Sequence, residues 1–439
     1  MQSYLVGGAV RDKLLGLPVK ERDFVVVGAT PQEMLDLGYR QVGQDFPVFL
    51  HPKTHEEYAL ARTLRCGANS SGKPHADTTV SLQDDLARRD LTINALAETE
   101  EGQLIDPFGG EEDLRRGVLR HISPAFAEDP IRILRVARFM ARYASLGFTV
   151  APETLALMQE MVREGAVDAL VPERVWQELV SALKESDPQP FFDTLRECGA
   201  LSRVLPEIDG LYGVPQPTRW HPEVDCGVHT LMALRVACEL SDAPEVRFAV
   251  LTHDLGKATT PAHVLPSHYG HEGRGERLVK QLCQRLKAPV RFRDLAMRCA
   301  AYHGYTHRLY ELRPKTIHKL LSGLDAFRRP ERLKQFLLVC EADYRGREGF
   351  HERPYHQAAD LWQLYLVASG VTAESSSDGE PGWLKGEAIR RERIRLIADH
   401  LSVMKQTEMS ASASQAVENP EAGDIGANGR TKGAKEKDQ

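Results

Sequence analysis

The sequence predicts an α+β chain: a mixed head built on a small sheet, then all-helical domains and a disordered C-terminal tail. Three observations predict it. Over the first ~125 residues, short runs of β-branched and aromatic residues alternate with a capped helix signal. From about Ser123 the apolar residues recur at three-and-four spacing, the period of amphipathic helices. After about Met404 large apolar residues almost vanish, so the chain there cannot bury enough surface to offset its entropy.

Each element follows from its residues. "YLV" (4–6), "FVVVG" (24–28) and "EEYALAR" (56–62) read as strands, and "TPQEMLDLG" (30–38) as a capped helix closed by Gly38. "RCGANSSGKPHADTT" (65–79) reads as a mobile loop. "DPIRILRVARFMARYASLG" (129–147), "APETLALMQEMVREG" (151–165) and "PERVWQELVSALKES" (172–186) are amphipathic helices with proline or acidic starts. The proline-rich "LYGVPQPTRWHPEVD" (211–225) is a linker into a second helical region. The expected divisions are a head at 1–125, a helical neck and body at 126–220, a histidine-bearing helical domain at 228–345, a helical region at 346–404 and a tail at 405–439.

Composition narrows the class. Hydrophobic residues are 42% and charged residues 27%, enough for packed cores in a soluble chain. No run of about 18 apolar residues suggests a membrane span, and no export signal is visible, so a cytoplasmic protein is expected. The seven cysteines form no CxxC pair, which excludes a thiolate zinc site and a disulfide framework. A net charge of -6 means that any nucleic-acid contact must come from local patches.

The stretch "YLVGGAVRDKLLGLPVKERDFVVVG" (4–28) carries the first chemistry. A strand delivers the chain to Gly7 and Gly8, where a backbone without side chains can approach a phosphate. Arg11, within the next helical turn, can add a guanidinium to the same anion. Glu21 and Asp23 stand two apart, a spacing that on a strand puts both carboxylates on one face. Two such acids repel unless a cation lies between them, and Mg²⁺ bridging to a triphosphate would supply it. Read alone, the same residues also describe a glycine-turned core with solvent-facing acids.

Two further segments follow in order: "RRDLTINALA" (88–97) and "EDPIRILRVARF" (128–139). With the opening motif they resemble the nucleotidyltransferase branch that contains tRNA CCA-adding enzymes and bacterial poly(A) polymerases. The resemblance implies a polymerase-beta-like head in which Glu21 and Asp23 hold the catalytic Mg²⁺. A third acid from a neighbouring strand is implied at Glu57, with Glu56 beside it as the alternative. Glu21 departs from the family pattern, which commonly has Asp there. Gly8 and Arg11 would meet the triphosphate, Arg89 and Asp90 the sugar region, and Arg135 and Arg138 the triphosphate again. Asp129 and Arg132, three apart on a helix, share a face and offer acceptor and donors to a base edge; the resemblance implies that they select CTP and then ATP. "PERVWQEL" (172–179) resembles the family's bracing helix.

A second pattern occupies 228–343. His229, the pair His253–Asp254 in "HDLGK" and Asp343 in "VCEADYRGR" resemble the ligand set of HD-domain phosphohydrolases, with His268, His271, His303 and His307 nearby. Mixed imidazoles and carboxylates suit Ni²⁺ or another divalent transition metal such as Co²⁺ or Mn²⁺. Together the two patterns resemble class II CCA-adding enzymes in the multifunctional form that carries an HD domain. The implied function is addition of C, C and A to the 3′ end of tRNA from CTP and ATP, with hydrolysis of RNA-end phosphates or 2′,3′-cyclic phosphates. The implied state is monomer or homodimer, with no membrane partner. The alternatives are a poly(A) polymerase, an A-adding or CC-adding enzyme, and an HD hydrolase with an RNA-binding head.

Overall fold

The computed structural model describes residues 1–42, 48–64, 74–76, 78–371 and 382–418. It divides into two compact units: one of 1–301 with 342–353, the other of 302–341 with 354–439.

The first unit opens with the head. β1 (Gln2–Val6) leads into α1 (Gly8–Leu14), β2 (Asp23–Val27), α2 (Pro31–Asp36), β3 (Arg40–Val42), β4 (Val48–Leu50) and β5 (Glu57–Leu60). β6 (Arg62–Leu64) and β7 (Pro74–Ala76) pair with each other, and α3 (Leu82–Leu86), β8 (Ala97–Glu98), β9 (Leu104–Ile105) and α4 (Gly110–Arg116) complete the head. The main sheet runs β3-β4-β5-β2-β1-β8-β9. β2 is its pivot, antiparallel to β1 and parallel to β5.

The uninterrupted valine run of β2 has a physical reason. Val25 packs with Val6, Ala95 and Leu86 on one face of the sheet, and Val26 with Met34, Phe49 and Leu60 on the other. A strand buried on both faces has no polar side to alternate with. Phe24 and Tyr58 stack at 4.5 Å on the Val26 face. Asp23 and its cross-strand partner Glu57 therefore share the opposite face with Val25. On the Val26 side, α2 is held by the expected cap: Thr30 accepts from the Glu33 amide and Glu33 accepts from the Thr30 amide.

β10 (Val118–Leu119) and β11 (Thr149–Val150) flank α5 (Ile131–Arg142), which is followed by α6 (Pro152–Arg163), α7 (Pro172–Leu183), α8 (Gln189–Glu197), α9 (Leu201–Val204) and α10 (Pro206–Asp209). α5 buries Ile133, Leu134, Val136, Ala137 and Ala141 and packs against α7 and α8. Its arginines 132, 135, 138 and 142 escape that stripe at helical spacing. The segment 211–225 is irregular, as its prolines predict, apart from a bridge between Pro215 and Asp225. α11 (Cys226–Leu240), α12 (Pro244–Thr252) and α13 (His271–Arg285) follow, and α14 (Val290–His307) carries the chain across the unit boundary.

The second unit holds α15 (Pro314–Gly323), most of α16 (Pro330–Arg345), α17 (His356–Ser369) and α18 (Gly382–Glu418). α18 packs against α15 and α17, and Arg393 lies over the Phe327 ring at 3.9 Å. No helix among the described residues is long and apolar enough to cross a membrane.

Two expectations shift. Pro74–Ala76, read as loop, is a strand, while 65–73 and 77 lie outside the described residues. The tail does not start at 405: α18 continues to Glu418, because "EMSASASQAVE" contains no glycine or proline to stop it, and 419–439 lie outside the described residues.

Gly256, inside "HDLGK", shows how tightly the fold closes around its second motif. A Cβ there would meet the His271 carbonyl oxygen at 1.9 Å and the Gly275 nitrogen at 2.6 Å, whereas one at Gly273 meets nothing within 4 Å. Gly256→Ala is expected to cost roughly 1–3 kcal/mol through overpacking. Gly273→Ala, exposed within α13, is expected to gain up to about 1 kcal/mol. Unfolding temperatures of the two variants check the pair.

Candidate functional sites

The first site is a cavity of about 630 Å³ between the head sheet and α5. Gly7 makes its turn possible. Its φ is 65°, and an added Cβ would lie 2.7 Å from Arg89 Nη1. Gly8 and Arg11 line the cavity with Glu21, Asp23, Arg89, Asp90, Asp129, Arg132, Arg135 and Arg138. Nine arginines face five carboxylates in the lining, so the cavity carries an excess of positive charge suited to a polyanion.

Most of these arginines already have partners. Arg11 is buried, donates to Asn94 Oδ1 and to Asp12 Oδ1, and lies over the Phe139 ring at 5.1 Å. Arg135 Nε donates to Asp90 Oδ2 at 2.7 Å, and Asp90 Oδ1 also accepts from Asn94 Nδ2 at 2.8 Å. Arg138 Nε donates to Glu178 Oε2 at 2.7 Å. Arg142 Nη2 donates to Asp12 Oδ2 at 2.7 Å. Burial would raise the Asp90 carboxyl, but the charge of Arg135 and the hydrogen bonds from Asn94 and Arg135 bring it down to about 2.

The acids behave differently. Burial first, and then the neighbouring charge of Glu21, push the Asp23 carboxyl above its ordinary value, against the pull of Arg89. Crowded acids of this kind suit a hard divalent cation. Glu57 stands opposite Asp23 in the parallel register and does not line the cavity itself, although Ala59, on the same strand face, does. Glu56 points to other partners: its Oε2 accepts from the Thr54 hydroxyl and its Oε1 lies 3.6 Å from Arg22 Nη1.

Two details differ from the sequence reading. Glu21 lies ahead of β2 rather than on it, since the strand begins at Asp23. Asp129 is not on a helix with Arg132. It precedes Pro130, whose ring disfavours the α conformation in the residue before it, and has φ −133° and ψ 101°. Its carboxylate is held by Arg174, with Nη1–Oδ1 at 3.1 Å and Nη2–Oδ2 at 2.7 Å. Arg132 instead donates to the carbonyls of Ala125 at 2.9 Å and Arg88 at 2.6 Å. Arg174 and Glu178 were missed as site residues. Their spacing of four on α7 was the available signal, since it puts both on one helix face.

The second site lies in the first unit and is almost wholly buried. His229 Nε2 is 3.1 Å from Asp343 Oδ1, His253 Nε2 is 3.1 Å from Asp254 Oδ2 and 3.7 Å from Asp343 Oδ1. All four residues of the expected ligand set thus converge from α11, the end of α12 and α16. Burial disfavours the His253 imidazolium, yet Asp254 and Asp343 outweigh it and push the group up to about 9. A buried position that favours positive charge, built from imidazole and carboxylate, fits a divalent transition metal. Lys257 Nζ adds a 2.6 Å contact to Asp254 Oδ2, and His271 Nε2 lies 3.5 Å from Asp254 Oδ1. His268 is turned away, within reach of the Thr260 hydroxyl and the Pro215 carbonyl. His307 is in the second unit, 2.9 Å from the Tyr355 hydroxyl.

Known protein families match the regions that hold these residues. Residues 3–120 match the poly A polymerase head domain, 147–211 the probable RNA and SrmB-binding site of polymerase A, and 227–344 the HD domain. These matches define a nucleotidyltransferase head that shares its chain with an HD domain. The chain is 60% identical over 400 residues to the multifunctional CCA protein of Thioalkalivibrio sulfidiphilus (strain HL-EbGR7), spanning 90% of this chain and 98% of that one. It is 59% identical over 400 residues to the multifunctional CCA protein of Nitrosococcus oceani, with the same coverage. It belongs to the multifunctional CCA protein family, and is a CCA-adding tRNA nucleotidyltransferase with a metal-dependent HD domain. The fold is also that of the Bacillus stearothermophilus CCA-adding enzyme in complex with CTP (TM-score 0.57, 23% identity, 93% of this chain and 94% of that one). A Thermotoga maritima CCA-adding enzyme complexed with tRNA is similar too (TM-score 0.58, 19% identity, 92% and 91%).

The Asp90–Arg135 pair makes a testable demand. An acid whose folded value is depressed stabilises the fold above its unfolded value, about 3.9, and that contribution fades as pH falls further. The loss therefore falls between that value and about 2 for Asp90. Arg135→Gln is expected to lower stability at pH 7 by about 1–3 kcal/mol, with the part-exposed arginine favouring the lower end. Denaturant melts at pH 7 and pH 3 should show the gap between wild type and variant narrowing in acid.

Proposed function

We propose that the head site joins two cytidylates and one adenylate to the tRNA 3′-hydroxyl, using CTP and ATP and releasing pyrophosphate. The observation that carries this reading is the pairing of Asp23 with Glu57 across β2 and β5, at the edge of a cavity lined by nine arginines. Glu21, Asp23 and Glu57 are assigned to Mg²⁺, the longer glutamate reaching from ahead of the strand. Magnesium held there would neutralise the crowded acids and lower the pKa of the attacking hydroxyl. Gly8 and Arg11 cradle the triphosphate with Arg135 and Arg138, while Arg89 and Asp90 meet the sugar. Asp23, with its raised affinity for a proton, must be ionised before it can serve.

Base selection is assigned to Asp129 and Arg132. The bidentate clasp of Arg174 fixes where the Asp129 carboxylate points, and the two carbonyl bonds of Arg132 fix its guanidinium. These bonds use two of the five N–H groups of the guanidinium, so others can serve the base edge.

The HD site is assigned to hydrolysis of phosphates at RNA ends: 2′,3′-cyclic phosphodiesterase, 2′-nucleotidase and phosphatase activity. His229, His253, Asp254 and Asp343 would hold Ni²⁺ or another divalent transition metal. Such an ion supplies water activated at neutral pH and a Lewis acid for the phosphoryl oxygen. The joint setting is end-cleaning and repair of tRNA in the cytoplasm, by a monomer or homodimer.

Asp23→Ala is expected to reduce nucleotide incorporation by at least ~10²-fold, as loss of a charge-stabilising group does, while release of phosphate from a cyclic end persists. Loss of both activities in that variant would sink the two-site reading. Given tRNA ending at the discriminator base, the protein should add three residues with CTP and ATP together; a long tail from ATP alone would overturn the assignment. Arg174→Ala should leave incorporation measurable but relax discrimination between CTP and the wrong triphosphates by roughly tenfold, about 1.4 kcal/mol. Competing-substrate assays check that expectation.

A further inference from the structure

Ahead of α11 the irregular segment 211–225 folds one carboxylate inward against the HD site. Glu223 has a side chain only 3% exposed. Its Oε1 lies 2.8 Å from His229 Nδ1 and 2.9 Å from His221 Nδ1, and its Oε2 accepts from the Glu348 amide at 3.3 Å. The next residue, Val224, has φ 61°, a conformation that a β-branched residue rarely adopts. The Val224 carbonyl accepts from the Gln216 amide at 2.6 Å, so the turn that aims Glu223 is pinned at its strained point.

His221, Glu223 and His229 also resemble a metal site of their own, since two imidazoles and a carboxylate offer ligand atoms within 4.8 Å of one another. They cannot share the ion assigned to His229, His253, Asp254 and Asp343, because Glu223 lies at Nδ1 of the His229 ring while Asp343 lies at its Nε2. An imidazole gives one nitrogen to an ion, which leaves Nδ1 for a carboxylate beside it.

We propose that Glu223 is the positioning residue of the HD site. Its charge, 2.8 Å from His229 Nδ1, favours the tautomer that carries the proton on that nitrogen and so leaves the Nε2 lone pair for the ion that Asp343 would also hold. This rests on the reading of His229, His253, Asp254 and Asp343 as a metal site. A histidine whose second nitrogen donates to a carboxylate is a more basic and better oriented ligand, and losing such a partner costs 10–100-fold in metal affinity. His221, with Nδ1 2.9 Å from the same oxygen and its ring edge-on to His229 at 4.6 Å, holds the carboxylate in place. The Glu348 amide, five residues beyond Asp343, ties it to the segment that carries the opposing ligand.

The test measures metal binding, not turnover. The full chain is dialysed against Co²⁺ alone, and bound metal is measured for wild type, Asp254→Ala, Glu223→Ala and Glu223→Gln. The difference between wild type and Asp254→Ala defines the HD-site ion and separates it from any held in the head. Glu223→Ala should weaken that ion 10–100-fold. Glu223→Gln, which still accepts from Nδ1, should restore most of the loss. Wild-type affinity within twofold in Glu223→Ala overturns the inference. Equal losses in Ala and Gln, tracking equal drops in metal-free unfolding temperature, also overturn it, because they report packing rather than orientation. Absence of any difference between wild type and Asp254→Ala overturns the metal reading beneath it, and that result is distinct from the other two.

Discussion

The carboxylates of Asp12 and Asp90 are buried in the head, and each is held there by an arginine from α5. Arg142 reaches Asp12 and Arg135 reaches Asp90. An unpaired charge at those positions would cost several kcal/mol, so helix and sheet must dock together. In the opposite direction Arg11 leaves the head to lie over Phe139 and Tyr143 of the neck. The cavity exists because these reciprocal contacts span it, and its floor and wall come from separate parts of the sequence.

The same contacts make the cavity ready for an anion before one arrives. Arginines gathered around an empty space repel one another, and flexible side chains would simply disperse. Here Asp90, Asp129, Glu178 and Asp12 each restrain one or two of them. The acids leave the lining positive but keep the guanidiniums in fixed directions, so less order has to be imposed on binding. The HD site reaches a similar end by depth rather than number, with four candidate ligands converging on one buried place and one Asp254 oxygen also meeting Lys257.

What could be read from the sequence was whatever lies close along the chain. The glycine turn, the strand after Asp23, the Thr30 cap and the arginine stripe of α5 are local patterns, and the structure has them. The HD set, spread over more than a hundred residues, was legible only because its order resembled a known family. Contacts without a local signature stayed hidden. Arg174 meets Asp129 from 45 residues away, and Glu348 meets Glu223 from 125. Asp129 leaves the helix that its spacing to Arg132 suggests, because the ring of Pro130 decides the backbone one residue earlier.

The Arg174–Asp129 clasp carries a consequence for how such a protein diverges. An aspartate assigned to face a base cannot drift alone, because any change in its partner re-aims it. The same coupling holds for Arg135 with Asp90 and for Arg138 with Glu178. Single substitutions in this lining therefore cross a valley that paired substitutions avoid. New nucleotide preferences should arise by exchange of whole couples between α5, α7 and the head, so that a lineage inherits its base selection as linked sets of residues.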